Sequence, residues 1–96
     1  MESRHEPRYH SRGEAVVVSV LNSPQECRGS GTLLNISKSG FSVALQLPLA
    51  PGTEVLVVLN RLGIFGTVRR CQGSEGEGFT IGAEITCLEL NGEVAA

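Results

Sequence analysis

The chain has 96 residues, 41% of them hydrophobic, and a formal net charge of −2; with a sequence pI of about 5.6 it lacks the broad basic footprint of a binder of polymeric nucleic acid. A small phosphate-bearing ligand needs only two or three local cations and stays open. Every acidic residue is Glu, so an Asp-based EF-hand calcium loop is excluded.

Residues 1–13 are polar, hold Arg4, Arg8, Arg12, both histidines and Pro7, and predict an extended, flexible arm. Ala15 to Leu21 is Val-rich and predicts a first strand. Asn22-Ser23-Pro24 carries turn chemistry, and a second strand runs from about Cys27 to Ile36, with Gly29 and Gly31 open to a bend or bulge. Then comes Asn35-Ile36-Ser37-Lys38-Ser39-Gly40, a polar turn in which Asn35 and Ser37 can bond nearby backbone and Gly40 can adopt a positive φ.

In the third strand, Phe41, Val43, Leu45 and Leu47 alternate with Ser42, Ala44 and Gln46, the period of a half-buried strand. Pro48 and Pro51-Gly52 mark a loop. Thr53 to Asn60 is apolar on both faces and reads as a central strand. Ile64 to Cys71 is the fifth, Gln72 to Gly78 a flexible turn, and Phe79 to Cys87 the sixth. Asn91-Gly92 interrupts any helix in the tail.

Six short strands at this spacing predict an all-β fold, an antiparallel sandwich or small barrel, in a single domain over residues 1–96: arm 1–13, β-structure 14–88, tail 89–96. Cys27, Cys71 and Cys87 form no close pair, so neither a zinc site nor a disulfide framework is expected. The charged start does not resemble a signal peptide, and the longest apolar run, Val55 to Leu59, is too short to span a bilayer. A cytoplasmic protein without membrane insertion is the expectation.

Arg8 and Arg12 are four residues apart just before the first strand. Two guanidinium forks there could clamp phosphates or guanine edges, although spacing alone also fits a solvated basic arm. Arg69-Arg70 could add positive field, with one Arg solvated and one paired as the plainer reading. His5 and His10 could ligate a metal or act as a base, but on an arm they read as solvated. No signature joins His10 to a Cys or Ser and a Glu, so no enzyme and no metal site is expected.

Arg8-Tyr9-His10-Ser11-Arg12 before strand one, followed by Asn35-Ile36-Ser37-Lys38-Ser39-Gly40 between strands two and three, resembles the two motifs of the PilZ domain family. Pro51-Gly52-Thr53 and Ile81-Gly82-Ala83-Glu84-Ile85 agree with it, and the resemblance covers nearly the whole chain. It implies a six-stranded antiparallel β-barrel that binds the bacterial second messenger cyclic di-GMP without a further cofactor. Arg8 and Arg12 would be the clamp, Asn35 and Ser37 the polar floor, and Gly40 would act through shape. Asn35 stands where most of the family has Asp, which implies altered affinity. Pro7 stands before the first Arg, at a place that influences how many ligand molecules stack.

With one domain expected, the signal would pass to a separate protein of motility, pilus, polysaccharide-synthesis or regulatory machinery. The competing expectation is a PilZ-like protein-interaction module that has lost nucleotide binding.

Overall fold

The computed structural model describes the backbone of residues 8–22, 27–90 and 93–95, with side chains described over residues 13–22 and 28–90. Its elements are β1 (Arg8–Val20), β2 (Cys27–Ser37), β3 (Gly40–Leu45), β4 (Glu54–Leu59), β5 (Leu62–Ser74), β6 (Gly78–Leu90) and β7 (Glu93–Ala95). The strands follow the order β3-β2-β1-β4-β5-β6, every neighbour antiparallel, and β3 pairs with β6 to close a six-stranded barrel. Closure satisfies backbone groups that an open sheet would leave at its edges. The short β7 continues along the same edge of β6, beyond β3, with Leu90 opposite Glu93.

The period-two pattern builds the interior. Phe41, Val43 and Leu45 are buried while Ser42 and Ala44 between them are not. Val16 and Val18 of β1, Val55 and Val57 of β4, Ile64 and Val68 of β5, and Ile81 of β6 close on the same core. No polar or charged residue is buried among the described residues. Each fully buried Val, Leu, Ile or Phe stabilises the fold by roughly 1.5–3 kcal/mol over the exposed state.

Two register breaks matter for everything on the outer surface. Leu33 pairs with Val43 but Asn35 pairs with Ser42, so Leu34 is an extra residue in β2. If Leu34 were paired in an unbroken ladder, Asn35 and Ser37 would share the inward face of Leu33, which is 1% exposed. The bulge resets the alternation: Ile36 packs against the core, and Asn35 stands level with outward Ser42. In β5, Val68 pairs with Ala83 and Arg70 with Gly82, so Arg69 is the extra residue. Both arginines thereby stay exposed between buried Val68 and Cys71, which packs on the core.

The structure divides the expected arm. Residues 1–7 lie outside the described residues, and from Arg8 the backbone is already strand, because the leading half of β1 pairs with Asn35–Ser37 and satisfies that edge of β2. Strand also replaces most of the turn expected over Gln72 to Gly78, leaving a tight reversal at Glu75–Glu77. The Asn91-Gly92 pair, expected only to interrupt a helix, is the dipeptide that favours two-residue hairpins; those two residues lie outside the described ones, but the strands flanking them are paired.

Candidate functional site

Register alone carries one row of positions across the barrel's outer surface. Asn35 pairs with Ser42, Ser42 with Gly82, and Gly82 with Arg70, so the row crosses β2, β3, β6 and β5. Neighbouring strands lie about 4.8 Å apart, which makes the row from Asn35 to Arg70 roughly 14 Å wide. On the other side of Asn35 the row reaches His10 of β1, and two residues along the ladder Arg8 pairs with Ser37.

A hollow of about 560 Å³ opens over this row, lined by Asn35, Ser37, Gly40, Ser42, Arg70 and Thr80 among others. A second hollow of about 250 Å³, lined by Val18, Val20, Leu45, Leu47 and neighbours, is apolar and includes no residue of either motif. Hydroxyls, an amide and a guanidinium in the first suit a polar, anionic ligand; the second offers such a ligand little.

The turn between β2 and β3 is tied down from both sides. The Ser37 hydroxyl accepts from the Gly40 amide and donates to the Gly40 carbonyl, each at 3.3 Å. The Ile85 amide donates to the Ser39 carbonyl at 2.8 Å, which fastens the turn to β6. Contrary to the sequence expectation, Gly40 is not in the left-handed region. Glycine is required there for closeness: a Cβ at Gly40 would come within 2.9 Å of the Ala83 carbonyl oxygen.

The arginines of β5 divide their roles. Arg69 pairs with Glu84 through Nη2, and through Nε at 3.1 Å, both to the same oxygen Oε1. Arg70 has no ion pair among the described residues and lies along Gly82, where a Cβ would come within 3.3 Å of Arg70 Cγ and 3.4 Å of its Nε. Of the charged side chains lining the hollow, Arg69 and Glu84 offset each other, which leaves Arg70 as the net positive charge.

Of the residues singled out in the sequence, Asn35, Ser37 and Gly40 come together in one hollow. Arg8 joins them through its place opposite Ser37. Arg12 falls in the irregular stretch between His10 and Glu14, beside Gly13 with a φ of +86°, and has no partner position on β2. The side chains of Arg8 and Arg12 lie outside the described residues. Sequence reasoning missed Ser42 and Thr80 and treated Arg70 only as background field. The outward positions of Ser42 and Thr80 could be counted from the alternation, but Arg70 faces out only because of the bulge at Arg69, and only the β3–β6 closure brings Thr80 and Arg70 onto the face that holds Asn35.

A family model described as "PilZ domain" matches residues 2–93. No curated protein matches the sequence. Among solved structures, the MrkH–c-di-GMP complex of K. pneumonia is similar at a TM-score of 0.66 and 14% identity, over 90% of this chain and 45% of that one. The Bacillus subtilis inhibitor of motility MotI/DgrA is similar at a TM-score of 0.63 and 18% identity, over 100% of this chain and 46% of that one. At such identities the likeness is one of fold, and this chain spans less than half the length of either structure.

Proposed function

The chain belongs to the PilZ domain family, and from that premise we propose that it is a receptor for cyclic di-GMP. The observation that carries the reading is the register that sets Arg8 opposite Ser37 and His10 opposite Asn35. Two motifs more than twenty residues apart in sequence become neighbours on one face. In this reading the Asn35 amide oxygen accepts from guanine N–H groups, the Ser37 hydroxyl bonds the sugar-phosphate backbone, and Gly40 acts through shape, letting the turn lie close against β6 beside the ligand. Arg8 and Arg12 supply forks for phosphate oxygens or for O6 and N7 of guanine.

The receptor reading assigns no catalysis, no cofactor and no polymeric nucleic acid to the chain, and has it act in the cytoplasm. The ligand-covered face would then be read by a separate protein of motility, pilus, polysaccharide-synthesis or regulatory machinery. Among the described residues no helix is long and apolar enough to cross a membrane.

Isothermal titration with purified cyclic di-GMP tests the proposal and gives affinity and stoichiometry together. Saturable heat is expected. Its absence at ligand concentrations up to the millimolar range would leave the interaction-module reading in its place.

A further inference from the structure

We propose that Arg70 is a third guanidinium of the site, taking a phosphate at the β5 end of the hollow, and that the Arg69–Glu84 pair is a positioning element that keeps Arg70 available. This rests on the receptor reading above. Neither motif contains these residues; the hollow and the register bring them in.

A cyclic dinucleotide carries two phosphates. The first motif lies on β1, at one end of the row. Arg70 closes the other, roughly 14 Å from Asn35 by strand count. Its stem lies along Gly82, so the guanidinium is held over the hollow by a position that has no side chain of its own. Thr80 and Ser42 line the same hollow with hydroxyls. A guanidinium can offer two parallel N–H donors to one phosphate, a geometry that the ammonium of Lys does not provide.

Glu84 lines the same hollow and is the group that would spoil an anion site. Left alone, its carboxylate would repel phosphate and compete for Arg70. Arg69 prevents this. The bulge at Arg69 places two consecutive arginines on the outer face, and the first of them holds Glu84 through Oε1. The pair thus removes a negative charge from the hollow without Arg69 having to touch ligand.

The test is titration calorimetry with cyclic di-GMP on the wild-type chain, Arg70→Ala, Arg70→Gln, Arg69→Ala and Arg69→Ala/Glu84→Gln, each checked for fold by circular-dichroism melting. Arg70→Gln keeps an aliphatic stem over Gly82 and so serves if the alanine variant is unstable. Either Arg70 variant should bind roughly tenfold or more weakly, the worth of a hydrogen bond to a charged group, and with a shallower dependence on salt. Arg69→Ala should bind several-fold more weakly, and adding Glu84→Gln should restore most of the loss.

Wild-type heat with both Arg70 variants within twofold of it would overturn the inference and leave the receptor reading standing. A double variant no better than Arg69→Ala would overturn the positioning role. No heat from the wild-type chain would overturn the receptor reading itself, and this inference with it.

Discussion

Arg8 is the register partner of Ser37 across β1 and β2. Paired positions in an antiparallel ladder have Cα atoms about 5 Å apart, so the start of one motif and the middle of the other are fixed as neighbours by backbone pairing alone. If Arg8 and Arg12 supply guanidinium forks to a guanine-bearing ligand, replacing either with Ala removes about 1–3 kcal/mol, a five- to 150-fold loss of affinity. Calorimetric titration with cyclic di-GMP checks this. Arg8→Ala and Arg12→Ala both binding like wild type would remove the arginines from the site.

The bulge at Leu34 decides which way the second motif faces. With Leu34 present, an unbroken ladder would turn Asn35 and Ser37 inward; deleting Leu34 instead leaves Asn35 directly after Leu33, so regular pairing keeps Asn35 and Ser37 outward and Ile36 on the core. The deletion variant should therefore fold, with Asn35 still opposite Ser42, and lose at most the modest contribution of one half-buried side chain. Circular-dichroism melting and titration with cyclic di-GMP check this. A variant that does not fold would mean that the bulge is needed for the pairing of β2 itself and not only for the facing of the motif.

Much of this could be read from residues alone, and the parts that could not share a cause. Phe41 to Leu45 shows its period in sequence because every second residue meets the core, but the alternation expected to reach Leu47 stops at Leu45, where the strand ends, and Leu47 is exposed. Asn35-x-Ser37 is equally plain as a motif. Its outward direction is not, since counting by two from Leu33 predicts the wrong face; one unpaired residue in β2 reverses the answer. The strand character of Arg8 to Gly13 was hidden because polar residues lacking alternation look like an arm until the facing edge of β2 is known. Arg70 was hidden for a related reason. Its value depends on Gly82 beside it and on Arg69 occupying Glu84, relations between strands that no local pattern encodes.

Gly40 is held by the approach of β6. A Cβ there would meet the Ala83 carbonyl oxygen at 2.9 Å, and that oxygen belongs to a strand paired with β3, which leaves it little freedom to yield. Gly40→Val should therefore push β3 from β6 at the point where the barrel closes. Overpacking of this kind costs about 1–3 kcal/mol, measurable as a lower urea midpoint, and it should loosen the Ser37–Gly40 hydrogen bonds that shape the turn. Unchanged stability would show that the turn can move aside without loss.

Asn35 offers the most direct way to ask whether a guanine edge is read. As an amide, its oxygen accepts one neutral hydrogen bond; Asn35→Asp would present a carboxylate to the same N–H donors. Charge-assisted bonds contribute about 1.5–3 kcal/mol against about 1 for neutral ones, so binding should tighten by roughly two- to thirtyfold. The opposing effect is repulsion between the new carboxylate and the ligand's phosphates. It is the smaller effect if Arg70, in the same row and without an ion pair among the described residues, takes up phosphate charge. The two effects separate in a combined variant: Asn35→Asp in an Arg70→Ala background should gain less, or lose affinity. The tighter binding should also fade as pH falls toward the carboxylate's ordinary value of about 4, because the protonated acid is again neutral. If Asn35→Asp binds more weakly than wild type with Arg70 intact, the side chain at this position faces phosphate and not a guanine edge.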